Sequence, residues 1–261
     1  MDLNADLGEG FGIWQLGDDE ALLDVITSAN VACGFHAGDA PTMRRICIAA
    51  AKRGVAVGAQ VGYRDLAGFG RRRIEYAFDE LRDEVIYQIG ALDAFCRLAG
   101  TAVRYVKPHG ALYNTAARDE SQAAAVVAAV VDYDRNLPVL CPPGSVLAQL
   151  ATGAGLRAVA EGFADRGYQS SGALVPRTAP GALVTDPDEA ADRAVRMAVE
   201  QRIVAVDGTS VPAPVESICL HGDTPGAVTA AGRVRAALTG AGVTLAPFVG
   251  QEGPFRMEGP S

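Results

Sequence analysis

Short apolar runs alternate with stretches of helical periodicity from one end of the chain to the other. Strands are expected at Asp2–Leu7, 29–33, 55–60, 103–107, 138–141, 158–161, Ser217–Leu220 and 243–246. Most of these runs are continuously apolar, which suits a parallel sheet covered on both faces. Residues 79–99 read as the clearest helix. Leu81, Val85, Ile89, Leu92 and Cys96 recur at three-to-four spacing, Asp79 is placed to cap the start, and Gly100 to stop the end. Helices are also expected at 41–53, 187–202 and 225–238, each opened by a proline suited to a first helical turn. Seven or eight β–α units predict an α/β fold closed as a TIM-like barrel, irregular and seven- or eight-stranded. One barrel domain would span residues 1–261, with a loose Gly/Pro-rich tail over 250–261. An open doubly wound sheet fits less well. The G-x-G-x-x-G dinucleotide fingerprint and the G-x-x-x-x-G-K phosphate loop are both missing.

Composition narrows the partners. With 261 residues and 49% hydrophobic content the chain can bury a barrel-sized core. A net charge of −8 without a basic stripe gives nucleic acid nothing to bind. No apolar stretch reaches membrane-spanning length, and Asp2 sits where a secretory signal needs basic residues, so a cytoplasmic location is expected. Five cysteines form no C-x-x-C pair and are expected reduced and buried.

The chemistry gathers at the ends of the apolar runs. The chain has three histidines, His36, His109 and His221, and each closes such a run and is followed closely by glycine. In a parallel α/β protein the strand C-termini share one face, where ligands bind. Lys107 stands just before Pro108 and His109, one of two lysines among 23 basic residues. A buried ammonium behaves in ways arginine cannot reproduce. The other strand ends contribute Asn4, Asp6 and Glu9, then Asp39, Gln60, Glu161, Asp165, Arg166 and Asp223. Asp39 and Asp223 follow glycine in two similar segments, His36-Ala-Gly38-Asp39-Ala-Pro41 and His221-Gly222-Asp223-Thr224-Pro225. Either aspartate can serve as a helix cap or as a catalytic group. Two long connections, 62–76 and 162–186, read as binding loops or lids. No serine or cysteine nucleophile has an evident base beside it. Carboxylates, imidazoles and a lysine suit water activation and carbonyl polarisation. A metal held by Asp6 and two histidines is compatible with the same set.

Six ordered segments together resemble one known family. D-L-N-x-D-L-G-E-G-F-G, N-x-A-C-G-F-H-A-G-D, Y-x-D-L-x-G-F-G-R-R, V-K-P-H-G-A-L-Y-N, F-A-D-R-x-Y and H-G-D-T-P-G-A look like the LamB/YcsF family over residues 2–248. The resemblance implies a distorted seven-stranded β/α barrel similar to carbohydrate deacetylases. It implies ATP-dependent hydrolysis of a cyclic amide, 5-oxo-L-proline, to L-glutamate, ADP and phosphate. It also implies two partner subunits, B and C, which would help to bind ATP. Two positions depart from the family pattern: Ala5 stands where cysteine is expected, and Gln60-Val61 where His-Pro is expected. On this reading Asp6, His36, Lys107, His109 and His221 are catalytic, with Asp6 oriented by His36 or His109. Asn4, Glu9, Asp39, Gln60, Asp165, Arg166 and Asp223 would contact substrate, with Arg166 clamping its carboxylate. Use of a divalent metal stays open. A stand-alone metal-dependent amidase and a non-catalytic substrate-binding protein are the alternative readings.

Overall fold

The computed structural model describes residues 1–223 and 226–250. Seven parallel strands close into a barrel: β1 (Asp2–Leu7), β2 (Ser28–Ala32), β3 (Ala56–Val61), β4 (Val103–Pro108), β5 (Val139–Cys141), β6 (Ala158–Phe163) and, after a separate hairpin, β9 (Ser217–Leu220). Neighbours in sequence are neighbours in space, and β9 pairs with both β6 and β1 to shut the ring. Helices α1 (Asp19–Leu23), α2 (Ala40–Arg53), α3 (Phe78–Leu98), α4 (Gly110–Ala116), α5 (Glu120–Tyr133), α6 (Val146–Gly153), α7 (Pro187–Val195) and α8 (Ala227–Gly240) follow the strands. Seven of the eight expected strands are present, two with the expected bounds and five shifted by one or two residues.

The outward residues of β1, Leu3, Ala5 and Leu7, join the apolar core beneath the helices. Leu81, Val85, Ile89, Leu92 and Cys96 of α3 are buried as a stripe facing the same core. The inward residues are different, because many are polar. Asp2 accepts from Ser28, Thr27 and Ser217, while Asn4 donates to Glu161 (3.0 Å) and Ser217 (2.6 Å). Buried polar groups persist only when partnered, and this network supplies the partners across the barrel. Tyr105 fills the space beside it, with its hydroxyl donating to Asn30 at 2.7 Å. Gly58, paired with Tyr105 in register, makes the room: a Cβ there would lie 2.1 Å from the ring.

Four expectations are corrected. Residues 243–246 form no strand, because β1 already pairs on both sides. Instead Met1 donates to Thr244 O and accepts from Ala246 N, both at 3.0 Å. The helix expected over 187–202 ends at Val195 and continues as a wide turn, Arg196–Glu200. Gln201 then adopts φ 53°, and an antiparallel hairpin follows, β7 (Arg202–Val204) with β8 (Ser210–Pro212). Asp79 lies inside the first turn of α3, whose N-cap is Ala77. The helix expected over 225–238 begins at Ala227; Thr224 and Pro225 lie outside the described residues, as does the expected tail beyond 250. All five cysteines are free and buried, as expected. Among the described residues no helix is long and apolar enough to cross a membrane.

Candidate active site

The strand C-termini converge on one face and bring the polar residues into contact. Asp6 and Lys107, from β1 and β4, meet inside the barrel at 3.0 Å, and Glu161 of β6 lies 2.9 Å from the same ammonium. Cys219 of β9 adds its sulfur at 3.0 Å, and Asn30 of β2 donates to Asp6 at 2.9 Å. All five are buried. Burial alone would raise the Asp6 carboxyl pKa, but the charge of Lys107, then that of His221, holds it below its usual value. Burial likewise opposes a charged Lys107, yet Asp6, Cys219 and Glu161 hold it well above the usual lysine value. The centre is therefore a charged lysine between carboxylates, with Asp6 ionised.

A second group sits beside it. His36, in the loop after β2, and His109, the N-cap of α4, stack with ring centroids 4.0 Å apart. Gln60 of β3 faces His36 Nε2 at 3.1 Å and donates to Glu9 at 3.2 Å. Glu9 in turn lies 3.7 Å from His109 Nε2. Burial pushes His36 down to about 4 and His109 well below its usual value, so both rings are uncharged near neutrality. Burial, followed by the charges of Asp6 and Asp223, pushes Glu9 well above the carboxylate range. Glu9, His36 and His109 bring ligand-type atoms within 4.8 Å of one another, a grouping that could hold a metal ion.

The third histidine stands apart from the stack. His221 directly follows β9, and its Nδ1 lies 2.9 Å from Asp165, which also accepts from the His221 backbone at 2.8 Å. Phe163 stacks on the His221 ring, and the Lys107 ammonium lies 5.2 Å from the centre of the same phenyl ring. A cleft of about 210 Å³ opens beside this pair, lined by Asp165, His221, Leu220, Val184 and Thr229.

The long loop after β3 lies over the stacked histidines, and the one after β6 borders the cleft through Asp165 and Val184. In the first, Phe69 sets its ring edge-on to His36 and His109. Gly70 lies so close to these rings that a Cβ would approach His109 Nδ1 to 2.9 Å. Arg71 then reaches across the mouth to Asp223, after β9, at 2.5 Å. A model of the LamB/YcsF family matches residues 1–253.

The chain belongs to the LamB/YcsF family. A relative from Streptomyces avermitilis, named as the A subunit of 5-oxoprolinase, is 60% identical over 95% of this chain and 99% of its own length. One of the same name from Mycobacterium marinum is 59% identical over 95% of this chain and 98% of its own. A crystal structure of a lactam utilization protein from Thermus thermophilus superposes with a TM-score of 0.90 at 45% identity, covering 95% of this chain and 99% of that one.

Against this LamB/YcsF site, several assigned roles change. Arg166 does not face the mouth: its guanidinium donates to Ala182 O (3.0 Å) and Val175 O (2.8 Å) within its own loop, so it is not available as a carboxylate clamp. Asp39 takes the capping role, accepting from Thr42 N and Gly12 N. Asn30 and Lys107, not His36 or His109, orient Asp6. Among the described residues, the ligand-type atoms that group with the two stacked imidazoles come from Glu9, where Asp6 is expected. Asn4 lies one layer below Asp6, tied to Glu161, Ser217 and Asn30. Phe69 and Arg71 fall in the loop expected to bind, but their contacts with the histidines and Asp223 emerge only in the fold. Sequence reasoning misses Asn30 and Cys219. Asn30 carries a signal, as the one polar side chain in the apolar run 29–33; Cys219 carries none, since a cysteine in an apolar run reads as packing.

Proposed function

We propose that this chain is the A subunit of an ATP-dependent 5-oxoprolinase and that the buried Asp6–Lys107–Glu161 group opens the lactam ring. That group is the observation that carries the reading, together with relatives of that name over 95% of the chain. A five-membered lactam is a poor electrophile. Transfer of the terminal phosphoryl group of ATP to the amide oxygen makes the ring carbon electrophilic and supplies a leaving group. Water then attacks that carbon, Asp6 takes its proton, and the ring nitrogen gains a proton and leaves as an amine, which gives γ-glutamyl phosphate; a second water cleaves this acyl phosphate to glutamate and phosphate. Lys107 stabilises the negative charge at the oxygen. The Asp165–His221 pair beside the cleft supplies a second proton-transfer couple, with Asp165 orienting the imidazole. Gln60 and Glu9 line the wall on which substrate rests, and Asn4 supports Glu161 from the layer below.

ATP would enter from partner subunits B and C, since this sequence carries no phosphate loop of known type. Ile13 and Trp14, exposed on the loop that follows β1, offer an apolar rim for such partners. An ATP-consuming reaction of this kind belongs in the cytoplasm.

The test is reconstitution. The chain is purified with the two partner subunits, and 5-oxoproline-dependent ADP and glutamate formation is followed with each subunit omitted in turn. Formation of both products that vanishes without this chain supports the reading. Absence of both with all three present overturns it.

A further inference from the structure

We propose that Glu9, His36 and His109 form a site for a divalent transition-metal ion, with one coordination position left open. This goes beyond the lactam reading and does not depend on it.

The donor atoms of these three residues lie within 4.8 Å of one another, and all three side chains are buried. One carboxylate oxygen and two imidazole nitrogens suit zinc, cobalt or nickel better than calcium or magnesium. Three protein ligands with an open position are the arrangement of reactive rather than purely structural metal sites.

A second observation points to a ligand. His36 and His109 each keep a buried Nδ1 that no atom of the described residues satisfies, lying against Gly62 and Gly70 respectively, while His109 turns its Nε2 toward Glu9. Buried polar atoms without partners are rare, and an ion or water is an ordinary reason for one. Glu9 tells the same story from the carboxylate side. It is buried next to Asp6, and among the described residues its nearest ion-pair partner is His109, at 3.7 Å.

Gln60 shapes the site without supplying charge. It holds His36 at 3.1 Å and Glu9 at 3.2 Å, so it fixes both ligands in place. Phe69 and Gly70 close the site from above. Closing on an ion asks the two rings to tilt out of their 15° stack, so binding should perturb the aromatic environment.

The test uses the full chain, stripped of metal, and cobalt(II) alone. Absorption in the visible follows coordination, and calorimetry with zinc gives affinity. Expected are one equivalent of bound metal and visible bands of a low-coordinate nitrogen-ligated cobalt. Glu9→Gln and His109→Ala should each weaken binding by at least about tenfold, with circular dichroism unchanged, while His221→Asn keeps wild-type affinity. Absence of saturable binding by wild-type protein would overturn the proposal. So would equal affinity in the wild type, Glu9→Gln and His109→Ala. Neither result touches 5-oxoproline turnover, which the reconstitution measures separately.

Discussion

The Asp6 carboxylate and the Lys107 ammonium lie 3.0 Å apart inside the barrel, and neither side chain is more than 3% exposed. Glu161 shares the ammonium at 2.9 Å. Removing the lysine therefore strands two buried carboxylates. Breaking a buried pair by deleting one partner costs about 3–5 kcal/mol. Lys107→Met should lose stability on that scale in urea denaturation as well as turnover. Asp6→Asn leaves Glu161 to pair with the lysine, so it should destabilise less. It should still cut lactam turnover by at least about a hundredfold, the contribution of a positioned general base. Turnover within about threefold of wild type in folded Asp6→Asn would remove Asp6 from the mechanism.

The same pair sets a pH dependence. Asp6 has a folded pKa below its unfolded value near 3.8, so its stabilisation is complete above that value. It is lost as pH falls through the lower folded pKa. Lys107 has a folded pKa well above its unfolded 10.5. Its stabilisation is present below 10.5 and is lost only as pH rises beyond the folded value. The wild type should therefore show a steeper loss of stability below about pH 4 than Asp6→Asn. Denaturant midpoints measured across that range check this, and parallel acid limbs would count against it.

Much of this architecture was readable from the residues. The apolar runs before His36, His109 and His221 located three strand ends, and the rarity of lysine singled out Lys107. Three kinds of information were not readable. Which polar groups pair across a barrel depends on strand register, so Glu161 could be placed at a strand end but not on Lys107. Whether a side chain faces the mouth or its own loop depends on loop conformation, which is why Arg166 reads as a clamp and acts as a loop brace. The end of the sheet depends on closure: 243–246 has strand composition but no free strand edge to join.

Arg166 thus offers a discriminating substitution. Its guanidinium satisfies two carbonyls, and Arg193 donates to the Arg166 carbonyl at 2.7 Å. Charge-assisted bonds of this kind contribute about 1.5–3 kcal/mol each. Arg166→Ala should lower the thermal midpoint by several degrees while leaving KM for 5-oxoproline within about threefold at a temperature where the variant is folded. A rise in KM of about tenfold or more, without loss of stability, would restore Arg166 as a substrate clamp.

Arg71 and Asp223 join the loop after β3 to the loop after β9, at the rim of the site. Arg71 is one-third exposed, so the pair adds little stability, on the order of 0–1 kcal/mol. Its consequence should be access. Asp223→Asn should leave the thermal midpoint nearly unchanged and alter KM for 5-oxoproline more than kcat. Steady-state kinetics of the reconstituted enzyme would show this, and an unchanged KM would mean the bridge has no part in substrate entry.

Gly58 gives the sharpest packing test. It lies in β3 opposite Tyr105, and an added Cβ would sit 2.1 Å from Tyr105 Cε2 and 2.2 Å from Cζ. Its φ is not in the left-handed region, so alanine meets no backbone strain and the cost is steric alone. The ring cannot retreat freely, because its hydroxyl is held by Asn30 at 2.7 Å and its face packs against Phe248, Leu140 and Val159. Overpacking a filled core costs about 1–3 kcal/mol. Gly58→Ala should fall at the upper end of that range or beyond it. It should also reduce turnover, since Asn30 connects the displaced ring to Asp6. Tyr105→Leu is destabilising by itself, but in combination it removes the clash. The double variant should then be more stable than the sum of the two single losses predicts, by at least about 1 kcal/mol. Strict additivity in denaturant melts would show that the Gly58–Tyr105 contact does not limit the packing of the barrel.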